Sequence, residues 1–419
     1  MAIEVSDYFI TTWRTTAANE SITIPTTGTG YNYHVDWGDG TVENSFTGNA
    51  THAYAIAGEY TVKISGTFPQ IYFYGFSAYR SKIIAINQWG NGKWRSMKRA
   101  FYRCRKLVGQ ATDTPDLSEV SDMSNMFYNA SSFNQDIGDW KVENVTNMSY
   151  VFHYASSFNQ DIGAWNVENV TNMSYMFSHA ISFNQDIGAW NVGNVISMSS
   201  MFSYAGSFNQ DIGDWNVSSV TNMSRLFYQS RFNQDIGAWN VGNVRSMSYM
   251  FSFAKYFNQD IGAWKVGNVT NMSHMFSHAI SFNQDIGAWK VGNVTNMSHM
   301  FSYTRSSFNQ DIGAWNVENV INMSSMFYHA ISFNQDIGDW NVEKVTNMAT
   351  MFAGASSFNQ DIGAWNVEKV TNMFYMFDRA TAFNQDIGAW KVGNVIDMTA
   401  MFRRASSFNQ NIGAWNVEK

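Results

Sequence analysis

The chain has 419 residues, 14% of them charged and 16% aromatic, with 24 Met, 30 Gly, 3 Pro and a net charge of −7. That acidic balance excludes a general nucleic-acid binder, which needs a basic footprint. The single cysteine, Cys104, leaves no partner for an intrachain disulfide or a cysteine-based zinc site, and no apolar run nears the ~18 residues of a membrane span.

The opening residues, Met1 to Ile10, lack the basic start and apolar core of a secretory leader. Tyr33-His34-Val35-Asp36-Trp37-Gly38-Asp39-Gly40-Thr41 reads as a strand entering an Asp-Gly hairpin turn, and Gly58 to Gly66 as a strand of period two. The WGDGT, HAY and GEYTVKI stretches resemble a PKD-type β-sandwich module of extracellular proteins. Residues 1–66 are therefore expected to form a small β-sandwich-like domain. The Tyr- and Phe-rich residues 67–82 would join that domain to the first coil and cap the coil's apolar end.

From there the sequence repeats. Phe-Asn-Gln recurs twelve times, from Phe133 to Phe408, at a spacing of 25 residues broken by one step of 24 and one of 26. A self-similar period of this length means stacked units, none of which buries its apolar face alone. In the unit that starts at Phe133 the apolar positions are Phe133, Ile137, Trp140, Val142, Val145, Met148, Val151, Phe152 and Ala155. Val145, Met148, Val151 and Phe152 fall at i, i+3, i+6 and i+7, which predicts one or two helical turns. Ile137 to Val142 predicts a short extended segment. The expected architecture is a mixed α/β repeat solenoid over residues 83–419, with a short strand and a short helix per coil, about thirteen coils and an open C-terminal end.

The repeat resembles the BspA-like leucine-rich repeats of bacterial surface proteins, in the variant whose consensus contains FNQDIGxWNVxNVTNMSxMF. A degenerate earlier coil at Trp94 to Leu107 carries Met97, Phe101, Cys104 and Leu107 at the offsets of Met148, Phe152, Ala155 and Phe158, which makes Cys104 a small core residue. The resemblance implies a leucine-rich-repeat-like fold and a cell-surface protein engaged in attachment.

Within the repeats, variation concentrates around each Met-Phe pair, where aromatic residues and His dominate. Tyr150, His153, Tyr154, Tyr175, His179, Tyr204, Tyr249, Phe253, His274, Tyr303, Tyr328 and Tyr375 form the expected ligand-binding face, because rigid rings supply contact area at low ordering cost. His274, His278 and His299 are alternatively a trio for a transition metal. A second column holds Asp136, Asp161, Asp186, Asp211 and their equivalents. Each is expected to accept a backbone N–H in its own turn; the alternative is a row of calcium ions bridging successive carboxylates. Asn134, Asn144, Asn147 and their equivalents should form hydrogen-bond ladders. No cofactor is required.

No Ser-His-Asp arrangement, phosphate loop or carboxylate pair stands out from the repeated background, so no enzymatic activity is expected. The reading is a non-enzymatic, extracellular binding or adhesion protein. Its partners would be a protein or glycan on another cell or matrix, or copies of itself, without nucleic acid or membrane insertion. The alternative is a filament-forming structural protein, assembled head to tail through the coil left incomplete at Lys419.

Overall fold

The computed structural model describes residues 7–417. The opening residues 1–6, read above for a leader, and residues 418–419 lie outside them. Contacts divide the chain into two compact units, Met1–Ser197 with Met201–Gln210, and Met198–Ser200 with Asp211–Lys419.

Unit one begins with the strands. They are β1 (Phe9–Arg14), β2 (Glu20–Ile24), β3 (Asn32–Asp36), β4 (Val42–Phe46), β5 (Ala50–Tyr54), β6 (Glu59–Thr67), β7 (Ile83–Gln88) and β8 (Val108–Gly109). A six-stranded sheet runs in the order β4-β3-β6-β1-β7-β8, and β2 pairs with β5 in a two-stranded sheet. The expected hairpin joins β3 to β4: the Trp37 N–H reaches the Thr41 carbonyl, and Asp36 and Asp39 each accept an N–H two residues on. Gly38 is needed there, since its φ is +78° and a Cβ would lie 2.5 Å from the Thr61 carbonyl oxygen. Trp13, Trp37, Tyr33 and Tyr54 fill the core. The large sheet does not stop at Gly66, because β7 and β8 extend it into the first coil.

Residues 69–73 lie along that coil. The Arg95 N–H bonds to the Pro69 carbonyl and the Phe73 N–H to the Arg99 carbonyl, while the Phe73 ring stacks on Phe101. Exposed backbone at the start of the stack is thereby paired.

Past Gly109 the expectation of a strand and a helix in each coil is overturned. Among the described residues there is no helix, and beyond β8 only isolated parallel bridges of one residue per coil occur, such as Asn147 with Asn172 and Asn271 with Asn296. The reason lies in where the backbone N–H groups go. Those of Val151, His153 and Ala155 close turns onto the carbonyls of Met148, Tyr150 and Phe152, three residues back. Those of Met148, Tyr150, Phe152 and Tyr154 donate to Asn172, Ser174, Met176 and Ser178 of the following coil. Alternate donors therefore leave the coil, and none remains for the i to i−4 ladder of an α-helix. Ile137 to Val142 is likewise not a strand, since Trp140 closes a turn onto Ile137.

The apolar reading of the repeat does hold. All nine positions of the Phe133 unit are buried. Phe152 stacks on Phe158, the Phe that opens the following unit, at 3.9 Å and on its own equivalent Phe177 at 5.7 Å. Unit two repeats this with Phe276, Phe282 and Phe301. Polar columns run beside the rings. The Trp165 indole donates to the Ile137 carbonyl, and Asn159 N–H to Asn134 Oδ1; in unit two Trp264 and Asn283 do the same with Ile236 and Asn258. The Trp and Asn columns are thus satisfied between coils rather than within them.

Candidate functional site

The turns that replace the helix place two residues per coil in the left-handed region. In unit one these include Tyr150 (φ 60°) and Tyr154 (φ 59°); in unit two they include His274 (φ 58°) and His278 (φ 60°). An L side chain there costs about 1–2 kcal/mol, which Gly avoids and Asn reduces. Asn125, Asn129 and Gly354 occupy the same two offsets in other coils. Rings at these positions are consequently held against the backbone's own preference.

What offsets the cost is stacking. In unit one Tyr150 and Tyr175 lie 4.5 Å apart at 5°, while Tyr154, His179 and Tyr204 follow one another at 4.0 and 4.1 Å. In unit two the first column is Tyr249, His274 and His299, at 4.1 and 4.2 Å. The second is Phe253, His278 and Tyr303, at 4.0 and 4.3 Å. Arg225 caps the first column, its guanidinium 4.8 Å from the Tyr249 ring centre. Because ring faces are spent on one another, an inner ring offers its edge to the outside.

Between the two columns runs a floor. In unit two it reads Tyr228, Ser252, Ser277, Ser302, Tyr328, and the three serines are 1–3% exposed. The result is a groove of about 460 Å³, walled by the two ring columns. Tyr228 closes on Tyr249 and Phe253 at 6.1 and 6.0 Å, and Tyr328 meets Tyr303 edge-on at 5.0 Å. The Ser277 hydroxyl is hydrogen-bonded to His278 Nδ1 at 3.1 Å, but Ser252 Oγ is buried without a partner. In unit one the corresponding floor position holds His153, which fills the space among Tyr150, Tyr154 and His179.

Burial pushes the imidazoles below their ordinary range. His153 falls to about 4 through burial and then the neighbouring His179; His274 falls to about 4 through burial, then His299, Arg225 and His278. His278 is lowered by burial first, then by Arg305 and Lys255, and His299 by burial. All are therefore neutral near pH 7.

Ten of the twelve expected binding residues occupy left-handed positions, while His153 and Tyr328 stand on the floors. Tyr154 is exposed, His153 is buried, and the rest are half-buried. Tyr375 lies away from the groove under the Arg403 guanidinium, 4.4 Å from its ring centre. The serine floor and the wall positions of His278 and His299 were not among the expected binding residues. Asn125, Asn129 and Gly354 were the available signal, since these types mark left-handed backbone.

The acidic column takes the geometry of Asx turns. Asp136, Asp161, Asp186 and Asp211 each accept the N–H of the glycine two residues on, at 2.9–3.0 Å. Among the described residues no group of three or more His, Cys, Asp or Glu could hold a metal ion. The parallel rings of His274 and His299 also direct their in-plane nitrogen lone pairs side by side rather than toward one point. Cys104 is buried, which pushes its thiol well up.

The family described as "Mycoplasma protein of unknown function, DUF285" matches residues 95–215, 202–306, 289–376 and 334–419. The chain belongs to the DUF285 family. This overturns the resemblance to BspA-like leucine-rich repeats with a PKD-type module. The tandem repeats are DUF285 repeats, their match begins at residue 95, and the whole chain holds three leucines, Leu107, Leu117 and Leu226. No curated protein and no solved structure matches the chain. DUF285 repeats here thus mean coils made of turns, with paired left-handed positions that carry the rings.

Proposed function

We propose that the chain is a non-enzymatic binding protein, displayed outside the cell for attachment to another cell or to matrix. The observation that carries this reading is the pair of ring columns on left-handed backbone, Tyr249-His274-His299 and Phe253-His278-Tyr303. The coil tolerates Ser, Asn and Gly at those offsets, as Ser325, Asn125 and Gly354 illustrate. Rings fixed in place by their neighbours lose little freedom when a partner docks, which favours affinity.

The test is a screen of the labelled chain against glycan and matrix-protein arrays, with Tyr249, Phe253 and Tyr303 changed to Ser in a parallel sample. A partner captured by the native chain and lost by the variant supports the reading. Capture that survives the three changes, or capture of the chain's own copies alone, removes it.

A further inference from the structure

The groove in unit two has a finite length, a polar floor and a sign of charge, and together these describe an occupant. Three serines lie between two tyrosines on the floor, and along one wall the cavity continues past Tyr328 to Ser325 and Thr350. Its volume, about 460 Å³, falls in the ~300–1,000 Å³ range of small-ligand sites. Ser252 Oγ, on a residue 1% exposed, lacks a hydrogen-bond partner and lines the cavity. A buried hydroxyl left unpaired costs free energy that a ligand hydroxyl or oxyanion would recover.

The walls present ring edges, because both faces of His274 and both faces of His278 are covered by neighbouring rings. Aromatic edges carry the positive end of the ring quadrupole, and imidazole edges add N–H donors. The charged groups acting on these imidazoles are cationic. His274 feels Arg225, and His278 feels Arg305 and Lys255. All three side chains belong to exposed residues. The carboxylate that reaches this row, Asp378, acts on Tyr328 and His329 at one end, and Arg403 binds both its oxygens at 2.8 Å.

The backbone argues against a peptide strand. The N–H groups of Tyr249, Phe253 and His278 are donated to the next coil, and those of Ser252 and Ser277 close turns. Strand addition needs a free row of such groups. Only side-chain hydroxyls, imidazoles and ring edges remain, which suits a polyhydroxylated ligand.

We propose that this groove is the binding site for a short run of an acidic glycan, its hydroxyls on the serine floor and its anionic groups toward Arg225, Lys255 and Arg305. This rests on the binding-protein reading and names the class of partner.

The experiment measures binding of a sulfated hexasaccharide, its desulfated counterpart and a poly-glutamate peptide to the full chain at about pH 7.5. The sulfated ligand should bind at least about tenfold tighter than the desulfated one. Ser277→Tyr should abolish binding by dividing the floor; Tyr stands naturally at the equivalent Tyr228 and Tyr328. Arg305→Gln, a surface change that leaves the floor intact, should weaken binding and reduce its salt dependence. Equal binding of the desulfated sugar, tighter binding of poly-glutamate, or binding untouched by Ser277→Tyr would each overturn the proposal. Capture of a matrix protein without any glycan overturns it while leaving the broader reading in place; capture of nothing in either screen defeats both.

Discussion

The imidazoles of His274 and His299 lie face to face at 4.2 Å, 9° from parallel. Two charged rings could not be held so without strong repulsion, so this contact belongs to the neutral pair. The unfolded chain takes up protons on its histidines near pH ~6.5, whereas in the fold His153 and His274 do so only at about 4. Between those values the unfolded state binds more protons. Stability is therefore full above about pH 6.5, falls as the pH drops toward 4, and levels off below it. For His153, which is 7% exposed, the loss is on the order of 3 kcal/mol. Urea unfolding at a series of pH values should show this slope, and His153→Ser should reduce it, the remainder coming from the other lowered histidines. An unchanged slope in that variant contradicts the assignment.

Glycine follows each Asp of the acidic column by two residues for a steric reason. A Cβ on Gly262 would stand 2.6 Å from the Asp285 carbonyl oxygen of the next coil, although its φ is ordinary. Gly262→Ala should destabilise by about 2–3 kcal/mol, the range of a core overpacking change. Hydrogen exchange should place the loosening in the coils around residues 260 and 285. Protection equal to that of the native chain would mean that the coils separate at no cost.

Left-handed positions separate the backbone's preference from the side chain's contribution. Ala400 has φ 53° and carries no ring, so Ala400→Gly should stabilise by about 1 kcal/mol. Tyr249 has φ 59°, stacks on His274 and lies under Arg225. There the same change to Gly should destabilise, because two ring contacts are lost. Thermal unfolding of the two variants should therefore shift in opposite directions. A shift of the same sign in both would show that stacking does not offset the backbone cost.

Each carboxylate of the acidic column is already engaged by a backbone N–H of its own turn. Asp260 Oδ1 already accepts the Gly262 N–H at 2.9 Å, and Asn411 makes the same bond to Gly413. Chelation of calcium should leave the thermal midpoint unchanged, and Asp260→Asn should leave it unchanged or slightly raised. A fall of several degrees on chelation would restore the bridging-ion alternative.

The period and the core were legible because the same apolar residue types return at each spacing, and Phe133 through Ala155 are all buried as that pattern requires. The helix was not. Val145, Met148, Val151 and Phe152 at i, i+3, i+6 and i+7 suit a helix and equally suit turns closed over three residues. The discriminator was Asn125, Asn129 and Gly354 at the two offsets, residue types that favour left-handed backbone. The ring face was legible by residue type alone. That Tyr, His and Phe cover one another, and that serines lie between them, depends on contacts between coils, which single-repeat patterns do not encode.

Tyr228 and Tyr328 stand at the two ends of the serine floor, while the repeats between them keep the core pairs Met250-Phe251, Met275-Phe276 and Met300-Phe301. Moving one end of that floor by a single coil needs one residue exchanged, serine for tyrosine, in a segment whose core and backbone pairing stay as they were. Duplication or loss of one 25-residue segment would likewise change the reach of the open channel in whole steps, much as a ruler is cut between its marks.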